Sequence, residues 1–260
     1  MRIEAFGKYS LLLLSTLTFN IAVFGGLITH WELDGDASDA SGNGYAGTLV
    51  NSPNFGTGQV GQAIDLNGSN QYVEVADGAG SLQPGIPPSA MSISAWFRTD
   101  TIAPPIQIIA DKGHNTINGA GWALSINSGI PTFTYGGFQN ATSPLVTAGN
   151  WYHLVGVFDG TDMSIYLNGI QGTTTTLTTG GTVKSTTPLR IGAWANPPSL
   201  SPLNFFNGSI DEVRLYDHAL SLGEITALSA VPEPSTYALI SLAILGACLV
   251  LKRKFRKNAE

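Results

Sequence analysis

Short runs in which apolar and polar residues alternate recur along the chain between turn signals, and stretches with a helical period are scarce. This is the pattern of half-buried strands rather than helices. From Ser92 to Phe97, Ile93, Ala95 and Phe97 fall on one side and Ser92, Ser94 and Trp96 on the other. From Trp151 to Phe158, His153, Val155 and Val157 oppose Tyr152, Leu154 and Phe158, and Met163, Ile165 and Leu167 then share a face. Asp159-Gly160 and Asn168-Gly169 end these runs, and such pairs favour the positive-φ turns of tight hairpins. The same reasoning predicts strands at 27–33, 63–66, 72–75, 107–111, 122–126, 132–135, 189–191 and 209–216. The threonine-rich stretch 173–179 reads as an exposed edge strand and loop. Ser221-Leu222-Gly223-Glu224 has the form of a capping box, with Ile225, Ala227 and Leu228 on the apolar side of a short helix. The expected fold is therefore all-β, a sandwich of two antiparallel sheets.

Both ends of the 260-residue chain depart from this pattern. Arg2 and Lys8 precede an apolar stretch from Leu11 to Phe24, the layout of an export signal, which assigns 1–25 to a signal peptide. At the other end, Pro232-Glu233-Pro234 precedes an apolar run over 237–251 and a basic cluster over 252–257, so that 229–260 forms a tail with a short hydrophobic helix. Fifteen apolar residues span about 22 Å as a helix, less than a hydrocarbon core of about 30 Å. The positive charges after the run hold that end in the cytoplasm and leave the preceding domain outside.

The remaining 26–228 is long enough for one domain with a self-sufficient core. From Gly26 to Ala230 there are five Lys and Arg against fifteen Asp and Glu, a formal charge of −10. That balance excludes nucleic acid as a partner, because phosphate neutralisation dominates such binding. It is compatible with hard cations. The single cysteine, Cys248, lies in the tail, so the domain has no disulfide, and a zinc site of the Cys/His type is excluded in practice.

Several runs taken in order resemble a known family. His30-Trp31-Glu32-Leu33-Asp34, Asp39 to Gly44, Gly61 to Gly68, Tyr72 to Val75, Ser92 to Phe97, Trp151 to Val155, Tyr166 to Gly169 and Phe206 to Tyr216 are similar to the LamG-like jellyroll domains of bacterial surface proteins, relatives of the concanavalin A-like lectins and glucanases. The tail resembles the PEP-CTERM sorting signal. These resemblances imply a concanavalin A-like jellyroll, export to the cell surface or extracellular matrix, transient membrane anchoring through the C-terminal helix, and removal of the tail by an exosortase-type membrane protease.

In the predicted last strand, simple alternation puts Asp211 on the face of Val213 and Leu215. An inward carboxylate needs a cation or a set of donors. The segment from Asp34 to Gly44 offers oxygen ligands suited to calcium. The resembled fold commonly holds a structural calcium between an early loop and the last long strand, which implies Asp39, Asn43 and Asp211 as ligands, with Asp34 as a fourth. The alternative is an Asx-type turn at Asp39 and Asn43 and backbone donors to Asp211.

The glucanase relatives carry acids at the first, third and sixth positions of one strand. Glu32 and Asp34 supply two, but Ala37 stands at the third place, so no catalytic residues are assigned and an enzyme is not expected. Trp194, Trp122 and Tyr135, in or beside the long loops, are candidates for stacking on sugar rings. The expected function is a non-catalytic surface or matrix domain that binds a polysaccharide or glycoprotein glycan. The alternatives are a structural or adhesive matrix protein without a small ligand and, third, a glycoside hydrolase.

Overall fold

The computed structural model describes residues 26–77, 81–83, 89–114, 121–136, 139–178, 187–194 and 201–230; the expected export signal, 1–25, and the tail from 231 on lie outside them. Among the described residues there are fifteen strands and one helix: β1 (Leu27–Trp31), β2 (Thr48–Val50), β3 (Asn54–Thr57), β4 (Gln62–Asn67), β5 (Tyr72–Val75), β6 (Met91–Thr99), β7 (Ile106–Asp111), β8 (Trp122–Asn127), β9 (Ile130–Tyr135), β10 (Gln139–Thr142), β11 (Tyr152–Phe158), β12 (Asp162–Leu167), β13 (Ile170–Thr176), β14 (Leu189–Ile191), β15 (Asn207–Tyr216) and α1 (Leu222–Ser229). All pairings are antiparallel.

The first sheet runs β13-β12-β11-β6-β15-β4-β3, with β1 also paired to β15. The second runs β10-β9-β8-β7-β14-β5-β2. The two sheets enclose one core, as the alternation in β6 and β11 requires. Ile93, Ala95 and Phe97 lie inside with Leu154 and Phe158, and Tyr135 of the second sheet stacks on Phe158 of the first at 4.5 Å between ring centres. The Asn168-Gly169 turn has φ of 51° and 77°, the positive pair expected of a two-residue hairpin. The threonines of β13 form the expected exposed edge and also blunt the neighbouring edge. Thr173 Oγ1 accepts the amide of Thr142 (2.7 Å), and Thr175 Oγ1 donates to the carbonyl of Asn140 (2.9 Å).

Helix α1 starts on the capping box read from the sequence. The Ser221 hydroxyl accepts the Glu224 amide, and the Glu224 carboxylate accepts the Ser221 amide at 2.8 Å. It lies on the outer face of the first sheet and buries Ile225 against Val155, Val157 and Tyr216.

One register shift changes the picture of the last strand. In the pairing of β15 with β6, Asp211 faces Trp96 and Arg214 faces Ser94, with a bulge between, where Glu212 adopts φ 54°. The extra residue reverses the alternation. Ile210, Val213 and Leu215 enter the core, whereas Asp211 shares the outer face with Trp96 and Arg214. Asp211 therefore does not point inward with Val213 and Leu215. It is buried from the other side, beneath the turn that joins β3 to β4.

Candidate functional site

The outer face of the second sheet carries a groove of about 330 Å³, within the size range of small-ligand sites. Its walls follow from strand alternation. Phe133, Leu124 and Ala141 point into the core, so their neighbours Thr132, Thr134, Ser125 and Asn140 point out and line the groove. Ile106 and Ile108 share the outward face by alternation, and the bulge that follows, between Ile108 and Ala110, lets Ile109 and Ala110 both enter the core. Asn127 and Asn204 add amides, and His114 and Trp194 form a wall.

Trp194 is half-buried and held in place. Its ring stacks on His114, with centroids 5.3 Å apart and 29° between planes. Its Nε1 donates to the His114 carbonyl (3.3 Å), its amide donates to the Leu203 carbonyl (2.9 Å), and its own carbonyl accepts from Arg190 (3.2 Å). Arg190 is fixed in turn by Glu74 at 2.9 Å and by the Tyr72 ring, 5.1 Å below its guanidinium carbon. His114 pairs through Nδ1 with the buried carboxylate of Asp111, which also accepts the Gly113 amide at 2.8 Å. A stacking surface fixed before a ligand arrives loses little entropy on binding.

The other two aromatic candidates are elsewhere. Trp122 and Tyr135 are fully buried, and both belong to the core between the sheets. The Trp122 Nε1 donates inward to the Leu82 carbonyl (3.1 Å). Alternation groups Trp122 with Leu124 and Ile126, and Tyr135 with Phe133, on the core side; it was their position at strand ends beside the loops that suggested exposure. The small polar residues that do line the groove were missed; the signal was their strict alternation with Leu124 and Phe133.

The four expected cation ligands divide into two places. Asp39 is consumed locally: Oδ1 accepts the His30 amide (3.1 Å) and the Ser41 amide and hydroxyl (3.0 and 2.6 Å), and Oδ2 accepts the Tyr45 amide (3.0 Å). Burial works against this carboxylate, but those donors outweigh it and hold it below the usual range. Asn43 Nδ2 donates to the carbonyls of Leu27 and Ile28 at 3.3 and 2.9 Å. These two residues tie the first loop to β1 and do not join Asp211.

Asp34 and Asp211 do share a neighbourhood, at the turn 58–62. Asp34 Oδ1 accepts the Gln62 amide. Asp211 Oδ2 accepts the amides of Gln59 (2.8 Å) and Val60 (2.9 Å), while Oδ1 is buried without a hydrogen-bond partner among the described residues. Burial pushes Asp211 up to about 7; the Glu212 and Asp34 charges add to the rise, and the two amides oppose it. An orphaned, buried carboxylate oxygen beside a second carboxylate fits a hard divalent cation. Gly58 and Gly61 let the turn approach the two carboxylates closely, since a Cβ at Gly58 would stand 2.7 Å from Asp211 Oδ2 and one at Gly61 2.5 Å from Asp34 Oδ1.

A second cluster, His30, Glu32 and Glu212, has ligand atoms within 4.8 Å of one another. Glu212 there is already engaged by His30 Nε2 at 3.0 Å and by the Arg214 guanidinium. Burial works against the Glu212 carboxylate, but these two partners outweigh it and keep it below its ordinary range.

With the fold and groove in view, the comparisons place the chain. Residues 67–226 match the concanavalin A-like lectin/glucanases superfamily, and the chain belongs to it. Residues 230–254 match the PEP-CTERM protein-sorting motif, the segment holding Pro232, Glu233 and Pro234, which marks an exported protein. No helix among the described residues is long and apolar enough to cross a membrane. A comparison with curated protein sequences gave no match. Among solved structures, domain 4 of AbnA, a GH43 extracellular arabinanase from Geobacillus stearothermophilus, in complex with arabinotriose, is similar with TM-score 0.62 and 22% identity, over 79% of this chain and 98% of that one. The botulinum neurotoxin serotype C1 binding domain is similar with TM-score 0.59 and 18% identity, over 78% of this chain. The binding domain of Paraclostridial Mosquitocidal Protein 1 gives TM-score 0.58 and 18% identity, over 78% of this chain. The chain spans about half the length of these two toxin domains, 51% and 52%.

Proposed function

We propose that this protein is an exported surface or matrix protein whose domain binds a glycan, without catalysis, in the groove on the outer face of the second sheet. The observation that carries this assignment is Trp194, fixed by His114 and Arg190 beside a wall of small neutral hydrogen-bonding side chains. A sugar ring presents an apolar face to an aromatic plane and hydroxyls to Ser, Thr and Asn. The described lining contains no carboxylate, whereas glycoside hydrolysis uses a pair of them. The same lining favours a neutral glycan over a uronic acid polymer, since His114 is its one titratable member. The similar arabinanase domain, in complex with arabinotriose, supports a carbohydrate ligand by analogy of fold. Within the same proposal, Asp34 and Asp211 hold a structural calcium ion that ties the turn 58–62 to the bulge of β15, and an exosortase-type protease removes the tail after transient membrane anchoring.

The test is a glycan array of neutral and acidic polysaccharides, followed by titration calorimetry on any hit. Trp194→Ala is expected to lower affinity at least tenfold while leaving the melting temperature within a few degrees. Binding that survives Trp194→Ala unchanged moves the site away from the groove. An array that is blank for the native protein leaves the matrix-structural role in its place.

A further inference from the structure

The strands give the sandwich two ends of opposite character. At one end lie the loops 101–105, 128–129 and 143–151 and the turn 168–169. Registers place them together: Thr99 pairs with Gly208, Tyr152 with Phe97, Ile106 with Asn127, and Leu167 with Ile170. These four segments contain no Asp, Glu, Lys or Arg. The nearest charges, Arg98 and Asp100, neutralise each other at 3.8 Å. The end also displays apolar side chains: Leu145 is 69% exposed, Ile170 71% and Ile130 37%, with Pro104 and Pro105 exposed beside them. Leu145 Cδ2 and Ile102 Cγ2 both come within 3.3 Å of where a Gly129 Cβ would stand, and on β13 a Gly172 Cβ would stand 3.0 Å from Ser143 Cα, which sets the Ile170 end of that strand beside the loop 143–151.

The opposite end is acidic. The β11–β12 turn carries Asp159 and Asp162, and Asp217 and Glu224 follow β15. Helix α1 begins at this acidic end, after Tyr216, and runs to the uncharged one, where a Gly169 Cβ would lie 3.3 Å from Ser229 Oγ. The chain therefore leaves the described domain at Ala230 beside the apolar patch. Six residues, 231–236, then precede the apolar run that begins at Tyr237. Such a tether reaches at most about 25 Å. The ten-residue strand β15 is about 34 Å long. With the tail in the membrane, the tether is too short to set the sandwich upright on its acidic end.

We propose that the end bearing Ile102, Pro104, Pro105, Ile130, Leu145 and Ile170 seats on the phospholipid bilayer while the tail is still attached. The partner is the lipid surface itself. Exposed apolar side chains partition into the headgroup boundary where no buried charge opposes them, and anionic lipid repels the acidic end. This seating rests on the sorting role of the tail and goes beyond it, because it orients the domain before cleavage. The glycan groove, on the outer face of the second sheet, then has its Ile106 and Asn127 end toward the bilayer and its His114 end away from it.

The experiment uses the full chain in vesicles of phosphatidylethanolamine and phosphatidylglycerol. Cys248→Ser removes the one native thiol, and Leu145→Cys or the exposed acidic-end position Thr161→Cys then carries an environment-sensitive fluorophore. Expected is a blue-shifted emission and a severalfold lower rate of quenching by an aqueous quencher at 145, with 161 as accessible as in solution. Adding Ile130→Glu and Ile170→Glu should abolish the protection at 145 while vesicle flotation and melting temperature persist. Flotation with equal quenching at 145 and 161 overturns the seating. Failure of the chain to float overturns instead the membrane role of the tail on which it rests.

Discussion

His153 offers the sharpest energetic test of the fold. It sits on the outer face of the first sheet, fully buried, with its ring 5.0 Å from Trp96 and neither ring nitrogen hydrogen-bonded among the described residues. Burial, with the Arg214 cation adding to it, pushes its pKa from 6.5 down to about 3. A base whose pKa is depressed in the folded state stays neutral while the unfolded chain takes up a proton. Stability is then complete above pH 6.5 and declines as pH falls toward 3. Each unit of separation corresponds to about 1.4 kcal/mol, so the loss between pH 6.5 and pH 4 is about 3 kcal/mol. Other groups titrate in the same window, and the native protein must therefore be compared with His153→Leu. The assay is urea unfolding of both proteins at intervals between pH 7.5 and 4. The stability of the native protein relative to His153→Leu should fall by about 3 kcal/mol between pH 6.5 and pH 4. Parallel curves, or an imidazole resonance of His153 titrating near 6.5, would show that the ring reaches water and that this account of its burial is wrong.

Two further outcomes follow from the same bookkeeping of buried charge. Lys112 is fully buried and pairs with Asp77 at 3.2 Å; burial lowers its pKa and Asp77 opposes that shift. Lys112→Ala leaves a buried carboxylate without its cation and should cost about 3–5 kcal/mol in denaturant unfolding, and a loss below 1 kcal/mol would mean that water replaces the ammonium. For the proposed calcium, Asp211→Asn should lower the melting temperature in millimolar calcium. In chelator it should leave it equal or higher, because a buried ionisable group has become neutral. The same drop in both conditions would identify Asp211 as an ordinary hydrogen-bonded aspartate.

The strands were legible where one face is wet and the other dry. In β12, Met163 and Ile165 are buried between the half-buried Asp162, Ser164 and Tyr166, as alternation puts them, and the capping box of α1 is the one read at Ser221 and Glu224. Legibility failed at strand ends. In β8 and β9, alternation groups Trp122 with Leu124 and Tyr135 with Phe133, but both stand at the end of a strand beside a loop, where an aromatic ring can close the core or face a groove. It failed also at Asp39 and Asn43. Their side chains are the right type for a cation, yet backbone amides and carbonyls within their own loop and β1 satisfy them first. Short-range donors prevail there because closing a short loop costs less entropy than closing the long one to β15.

The bulge at Glu212 had no sequence signal, because the residue at positive φ is a glutamate rather than a glycine. Its cost is local backbone strain of order 1–3 kcal/mol, and it persists because the residues around it over-determine it. Ile210, Val213 and Leu215 all gain full burial only if one residue is skipped between them, and His30 and Arg214 hold the displaced glutamate. That one inserted residue also moves Asp211 from the core to the outer face, where the turn 58–62 can cover it and Asp34 can approach. A carboxylate facing the aromatic core would have no donors and no cation; on the outer face it meets two amides and keeps one oxygen free. The packing of three aliphatic residues thus decides on which face the chain carries Asp211.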